Sequence, residues 1–273
     1  MTGTPKISVI TPCFNQGKHV GEMLESLFRQ TFQEFEVVIV NDGSTDGTKE
    51  TLDKIQNPSV RVIHTENHGP SHARNIAIEY AVAPVIFNLD ADDRIAPTLL
   101  ARAHDVIQSS PDFAIIYSDV ELFGAKTGMF ELEEFSSESM LYDNRIISEA
   151  FFHKKDWVRT GGYSSELVFG AEDWDFWLSI IELGGEVIKI PEPLVFYRTY
   201  NNPKECRSGL LKSDRIKMVK TQLQIFHRHE NLYRCCPGAW DHYTRLEKRF
   251  RNEGPINRKL KNSFYKFVKY LYR

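Results

Sequence analysis

Short apolar segments rich in β-branched residues alternate with helical patterns along the first half of this chain. The segments that predict strands are residues 7–11, 36–40, 60–64, 85–89 and 115–118, and the helical patterns between them cover 20–30, 48–56, 71–80 and 98–109. Continuous apolar strands separated by helices are typical of parallel sheets that are covered on both faces. The sequence therefore predicts an α/β fold with a Rossmann-like, mostly parallel central sheet flanked by helices.

The rhythm changes in the second half of the chain. A helix is expected at 172–183, and strands at 186–190 and 194–198. After residue 200 the sequence becomes helical and basic. We therefore predict a main domain over residues 1–200 and a basic helical C-terminal extension over residues 201–273.

The net charge of the chain hides a division between these two regions. The 34 Lys and Arg residues and 37 Asp and Glu residues give a charge of −3, which argues against nucleic acid as a partner held by bulk charge. Residues 1–200 carry −15, however, and residues 201–273 carry +12. The segment 257–273 has an apolar helical face opposite a basic one, so 255–273 is predicted to bind an anionic membrane surface. A helix packed on the main domain, with its basic face in solvent, is the alternative.

Hydropathy sets the expected location. No uncharged apolar run approaches the roughly 20 residues that cross a bilayer, and the first residues lack the apolar core of a secretory signal. The sequence predicts a cytoplasmic protein, with peripheral attachment to the inner face of the membrane if the basic extension binds lipid.

Acidic residues follow two of the predicted strands. Asp42 comes after 36–40, and Asp90 and Asp92 come after 85–89. Ligands of open α/β sheets bind beyond the carboxyl ends of the strands, and paired carboxylates suit Mg²⁺ or Mn²⁺. The alternatives are a solvated turn in which Asp93 caps the next helix, and a turn with a helix N-cap around Asp42.

Two further groups carry chemistry. Arg74 lies near a predicted helix start, where it could contact a phosphate or brace Asp42; a solvated surface arginine is the alternative. Glu172 and Asp173 begin a helix that is apolar nearly all round. A carboxylate at the mouth of a buried helix is a candidate general base, although part of this acidic cluster suits helix capping.

Several nucleotide-binding and catalytic motifs are missing from the sequence. It contains no GxGxxG after a strand, no GxxxxGK[ST], no GxSxG and no His/Cys cluster with zinc spacing. These absences argue against a dinucleotide-binding fingerprint, a P-loop, an esterase-type nucleophile elbow and a zinc site.

Five motifs in order carry a family resemblance. They span about residues 5–200 and are, in order, ISVITPCFNQ, VVIVNDGSTDGT, GPSHARN, FNLDADD, and GGY followed by EDWDFWL. This series resembles the inverting family 2 glycosyltransferases of GT-A fold. The resemblance implies a nucleotide-sugar donor and a manganese or magnesium ion (Mn²⁺ or Mg²⁺). It also implies a nucleotide-sugar half at about 1–120 and an acceptor half at about 121–200.

The resemblance also assigns roles to individual residues. On the donor side it implies a base pocket formed by Thr11, Pro12 and Asp42 and supported by Arg74, a ribose contact at Asp90, and a close backbone approach at Gly161 and Gly162. Asp92 would ligate the metal, with Asp90 as the second candidate. Asp173 would be the catalytic base, and Glu172 ranks second.

The resemblance thus predicts a metal-dependent hexosyl- or N-acetylhexosaminyltransferase. It would move one sugar to a hydroxyl of a glycan or lipid-linked acceptor in surface polysaccharide synthesis. A UDP-sugar is the expected donor. The QxxRW motif of processive synthases is missing, which favours single transfer. A nucleotide-sugar-binding module without catalysis and a sugar nucleotidyltransferase are the alternatives. The latter would need a Gly-rich loop with Arg and Lys after the first strand, which TPCFNQGKH does not supply.

Overall fold

The computed structural model describes residues 4–201 and 214–253. The chain divides into two compact units between residues 213 and 214, somewhat later than the predicted boundary at residue 200. Among the described helices, none is both long enough and apolar enough to cross a bilayer. The amphipathic helix predicted at 255–273 lies outside the described residues.

Nine strands and six α-helices build the described part of the first unit. The strands are β1 (Ile7–Cys13), β2 (Phe35–Asp42), β3 (Val60–Thr65), β4 (Val85–Asn88), β5 (Arg94–Ile95), β6 (Phe113–Gly124), β7 (Gly128–Phe130), β8 (Phe151–His153) and β9 (Glu186–Thr199). The helices are α1 (Val20–Phe28), α2 (Thr48–Leu52), α3 (Pro70–Tyr80), α4 (Leu99–Ser109), α5 (Lys154–Thr160) and α6 (Glu172–Glu182).

All nine strands join one sheet in the order β3-β2-β1-β4-β8-β6-β9-β5, with β7 paired to β6. The pairs β1/β2, β1/β4, β2/β3 and β6/β9 are parallel. Strands β1, β2 and β4 are almost wholly buried, as continuous apolar strands between helices should be. The predicted α/β architecture with a mostly parallel sheet is confirmed.

The second half of the sheet is mixed rather than parallel. β8 runs antiparallel to both β4 and β6, and the Phe87 and Phe151 rings stack with their centroids 4.3 Å apart across the β4/β8 junction. β9 is one strand, although the sequence predicts two separated by Pro191 and Pro193. The strand continues because its pairing with β6 shifts register around Asp119, opposite the prolines. At the prolines β9 pairs with no described strand other than β6, so the backbone N–H that proline lacks is not needed there.

The second unit contains three helices in its described part, α7 (Arg215–Arg228), α8 (Glu230–Arg234) and α9 (Pro237–Glu253). Asp214 caps α7 by accepting hydrogen bonds from the backbone N–H groups of Ile216 and Lys217. The core of the unit is aromatic: Phe226 and Tyr243 stack with centroids 5.4 Å apart, and Tyr233 meets both rings edge-on.

Candidate active site

The parallel register brings two acidic strand ends to one edge of the sheet. β1 lies between β2 and β4 and runs parallel to both, so the carboxyl ends of all three strands point the same way. Asp42 is the last residue of β2, and Asp90 and Asp92 follow β4. This edge is where ligands of open α/β sheets bind.

Asp42 is buried and holds the loop that leads into α3. Its two carboxylate oxygens accept hydrogen bonds from the backbone N–H groups of His68 at 2.9 Å and Gly69 at 2.8 Å. Asn67 donates from its side-chain amide to the Asp42 carbonyl at 2.9 Å. The expectation that Arg74 braces Asp42 is wrong, because these backbone groups fill that role and Arg74 bonds elsewhere.

Arg74 is buried and joins three segments of the chain. Its Nε donates to Asn88 at 3.1 Å, Nη2 to Asp90 at 2.9 Å and Nη1 to Glu172 at 2.8 Å. Burial disfavours the charge, but Asp90 and Glu172 more than compensate and raise the guanidinium pKa above its usual value. The alternative of a solvated surface arginine is also wrong, since only 5% of the side chain is exposed.

The carboxylates of the loop after β4 have different partners. Besides Arg74, Asp90 contacts the amide of Asn88 at 3.3 Å and the hydroxyl of Ser148 at 3.4 Å. Asp92 accepts a hydrogen bond from the hydroxyl of Tyr200 at 2.5 Å. Burial, above all, and then the charge of Asp90 raise the pKa of Asp92 against the lowering effect of that bond.

Asp93 is a structural carboxylate. It is buried, and its Oδ1 accepts the backbone N–H of Arg198 at 2.7 Å, which fastens the loop to β9. Burial and then the charge of Glu149 raise its pKa well above the usual value. The alternative of a solvated turn in which Asp93 caps the next helix is therefore wrong.

Asp173 and Glu172 occupy the first turn of α6 but have different surroundings. Oδ2 of Asp173 accepts a hydrogen bond from the Asn144 amide at 3.0 Å. Burial, followed by the charge of Glu172, raises the Asp173 pKa to about 6. Glu172 is 8% exposed and bonded to Arg74, so Asp173 is the better placed of the two to exchange a proton.

Thr11 and Pro12 lie near the carboxyl end of β1, beside Ile39 and Val40 of β2. Thr11 is fully buried, and its hydroxyl has no hydrogen-bond partner in the described part of the chain. Pro12 is half-buried. Both residues border the acidic edge, and their role in a base pocket stays a prediction.

The two glycines after α5 differ in what approaches them. Both have positive φ, 79° at Gly161 and 80° at Gly162. A Cβ at Gly162 would lie 2.6 Å from Nε1 of Trp157 and 2.7 Å from Oδ1 of Asn75, whereas nothing lies within 4 Å of one at Gly161. The close approach at Gly162 is thus made by the chain itself, and contact of either glycine with a donor stays a prediction.

The DxD loop, residues 90–92 after β4, offers carboxylates that suit a divalent cation whose remaining ligands come from a bound substrate and water. Within residues 4–201 and 214–253, no cluster of three or more Asp, Glu, His or Cys side chains could hold a metal by itself. Mg²⁺ usually takes only one or two protein carboxylates and completes its shell with phosphate oxygens and water. A cation would also relieve the repulsion that contributes to the raised pKa of Asp92.

Four residues of this region are missed by sequence reasoning: Asn144, Ser148, Glu149 and Tyr200. Glu149 is buried, its pKa is raised to about 8 chiefly by burial and then by Asp90, and Ser148 donates to it at 2.8 Å. The segment that contains the first three has no periodic pattern. Tyr200 directly follows the last residue of β9.

The described residues adopt the GT-A type of α/β fold. The model of the family described as Glycosyl transferase family 2 matches residues 8–157, which is more than half of the chain. The protein therefore belongs to glycosyl transferase family 2, and the predicted family resemblance is confirmed.

A curated relative agrees with this family assignment. The chain is 30% identical over 188 residues to the chondroitin synthase of Pasteurella multocida, a match that covers 66% of this chain and 19% of that protein. The match thus spans about a fifth of the length of this curated relative.

Solved structures share the fold. TarS residues 1–349 from S. aureus, in complex with UDP-GlcNAc, align with a TM-score of 0.63 and 21% identity over 84% of this chain and 72% of that one. The mannosyltransferase PcManGT from Pyrobaculum calidifontis, in complex with GDP-Man and Mn²⁺, aligns with a TM-score of 0.63 and 21% identity over 93% and 77%.

Proposed function

We propose that this family 2 glycosyltransferase is an inverting enzyme that moves one sugar from a nucleotide-diphosphate sugar to an acceptor hydroxyl. The observation that carries the proposal is the position of buried Arg74, which bonds Asp90 on the donor side and Glu172 beside the candidate base. This bridge joins the two groups of carboxylates to which the proposal assigns the metal ion and the acceptor proton.

Asp173 acts as the general base in the proposed reaction. Its carboxylate takes the proton of the acceptor hydroxyl while that oxygen bonds to the anomeric carbon. The bond from the anomeric carbon to the diphosphate oxygen breaks, and the nucleoside diphosphate leaves with the electron pair. A single displacement of this kind inverts the anomeric centre. The pKa of about 6 suits the role, because the group is ionised at neutral pH yet more basic than an ordinary aspartate.

Asp92 is the proposed ligand of Mn²⁺ or Mg²⁺, and Asp90 is the second candidate. The bound ion would supply Lewis-acid neutralisation of the diphosphate leaving group. Asp90 is the weaker candidate because the charged guanidinium of Arg74 already bonds its Oδ1, whereas the bond that Asp92 accepts comes from the neutral hydroxyl of Tyr200. The remaining donor contacts that we propose are a base pocket formed by Thr11, Pro12 and Asp42, with the backbone at Gly161 and Gly162 close to the donor.

The names of the similar proteins guide the choice of substrates. A UDP-sugar is the first donor to test, with an N-acetylhexosamine as the first sugar, because a structural neighbour is a complex with UDP-GlcNAc. A glycan or lipid-linked acceptor in surface polysaccharide synthesis is proposed because a curated relative is named chondroitin synthase. The Mn²⁺ in the PcManGT complex supports metal dependence.

A thermal-shift screen of nucleotide sugars with Mn²⁺ or Mg²⁺, followed by an assay of nucleotide release, tests the proposal. We expect metal-dependent stabilisation by one class of donor. Asp92→Asn should abolish that stabilisation, whereas Asp173→Asn should retain it and lose turnover. Asp105→Asn, at an exposed position of α4, is the matched control and should behave as the unmodified protein does. Stabilisation without turnover would instead identify a binding module, and no stabilisation by any donor would contradict the proposal.

Membrane attachment is a separate part of the proposal. It rests on the charge of +12 over residues 201–273 and places the enzyme at the inner face of the membrane. Flotation with anionic vesicles should recover the full chain but not a chain that ends at residue 254. Equal recovery of the two would contradict attachment through 255–273.

A further inference from the structure

The loop before β8 is fastened to the start of α6 at two points. The indole N–H of Trp174 donates to the carbonyl of Met140 at 2.7 Å, in a buried contact. Four residues further along the loop, the Asn144 amide donates to Oδ2 of Asp173 at 3.0 Å. The Trp174 bond is thus an attachment of the loop that does not involve Asn144.

The orientation of the Asn144 amide follows from its second hydrogen bond. Its Oδ1 accepts the backbone N–H of Ile146 at 3.2 Å. Because only the oxygen of the amide can accept that bond, the NH₂ group must face Asp173. Ile146 is 1% exposed, so the backbone group that sets this orientation is itself held by packing.

We propose that Asn144 is a positioning residue for Asp173: it holds Oδ2 of the carboxylate and thereby presents Oδ1 to the acceptor hydroxyl. This inference rests on the proposed role of Asp173 as the base. Asn144 is the one residue whose side chain hydrogen-bonds Asp173 in the described part of the chain. A carboxylate held through one oxygen has fewer orientations to lose when the acceptor binds, which favours proton transfer.

The bond should also affect the titration of Asp173. A donor to a carboxylate favours the charged form, so the amide acts against the burial and the neighbouring charge that raise the Asp173 pKa. The charged or titratable groups that face Asp173 are Glu172, Arg74, Asp90 and Tyr163. Replacing Asn144 alone alters none of these four groups chemically, so a change in titration in a variant that adds no charge reports on this bond.

The test is a carboxyl ¹³C NMR titration of the full chain labelled at aspartate, without substrate. The Asp173 signal is identified by its loss in Asp173→Asn. In Asn144→Leu, which keeps the size but removes the donor, the Asp173 midpoint should rise by roughly 0.5–1 pH unit. Asn144→Asp, a near-isosteric change that adds a negative charge, should raise it further. Ser139→Ala breaks hydrogen bonds within the same loop only and should leave the midpoint unchanged.

An unchanged midpoint in Asn144→Leu would overturn the inference and would leave the proposed transfer reaction intact. Lower thermal stability with an unchanged midpoint would assign Asn144 a purely structural role, which also overturns it. If Asp173→Asn retained turnover, the base assignment would fail instead, and positioning by Asn144 would fail with it. The two failures are distinguishable because one is read by titration and the other by turnover.

Discussion

Nη1 of Arg74 lies 2.8 Å from Oε1 of Glu172, a residue 98 positions further along the chain. Both side chains are buried, with 5% and 8% of their surfaces exposed. The contact connects α3 to α6, and through the bond from Arg74 to Asp90 it also includes the loop after β4. Two elements distant in sequence therefore share one buried cation.

Replacing Arg74 should destabilise the protein strongly. Arg74→Met would leave Glu172 without its buried partner, and breaking a buried ion pair costs about 3–5 kcal/mol. We expect the Tm to fall by roughly 10 °C in thermal unfolding followed by circular dichroism. Arg29→Met removes an exposed pair with Glu25 and should change the Tm little. Equal effects of the two changes would contradict a buried bridge.

The rate of transfer should depend on the ionisation of Asp173. A base with a pKa of about 6 is protonated at lower pH, so kcat/KM should fall nearly tenfold for each pH unit well below 6. Nucleotide release measured from pH 4.5 to 8 checks this. An acidic limb near pH 4, the ordinary range of an aspartate, would contradict a raised pKa for this base.

Glu149 should make the protein less stable as the pH rises. Its pKa is about 8 in the folded state, well above that of an unfolded glutamate. Between about pH 4.5 and 8 the unfolded chain releases this proton while the folded protein keeps it, so stability is lost across that window. Glu149→Gln removes the titration and should raise the Tm relative to the unmodified protein by at least a few degrees at pH 8.

The same comparison at pH 5 is the control for Glu149→Gln. That pH is only about half a unit above the start of the window, so little stability has been lost and the difference in Tm should be much smaller than at pH 8. A difference in Tm that is independent of pH would mean that the substitution acts through packing rather than through ionisation.

The two glycines after α5 form a matched pair. Both have positive φ, so alanine at either should cost about 1–2 kcal/mol in backbone strain. Gly162→Ala adds a clash with Trp157 and Asn75 and should cost roughly 1–3 kcal/mol more, measured by denaturant unfolding. Equal losses would show that the site relaxes. A change in donor KM in Gly161→Ala, without the larger loss of stability, would support donor contact there.

Local pattern was enough to predict the layered sheet. β1, β2 and β4 are short apolar runs whose burial follows from their position between helices, and the predicted segments match the strands closely. The acidic residues at their ends could also be anticipated, because parallel strands deliver their carboxyl ends to one edge. The sequence predicted that Asp42 and Asp90 lie there, but not what they bond.

The partners of the site residues depend on tertiary structure. Asn144 and Glu149 lie in a segment without periodicity, whose course is set by its packing on α6 and β4. The assignment of Arg74 to Asp42 rested on proximity to a helix start, which does not reveal which way a long side chain points. The folded chain directs it to Glu172, across a separation that local pattern cannot bridge.

The fastening of the DxD loop to β9 has a consequence for biosynthesis. The backbone N–H of Arg198 bonds Asp93, and its Nε donates at 2.7 Å to the carbonyl of Asp92. These partners are separated by more than a hundred residues, which a ribosome adds in roughly 5–20 s. During that interval the nascent chain carries the strands around β1 but not the anchor of the loop. Assembly of this loop is therefore a late event, which must follow synthesis of β9.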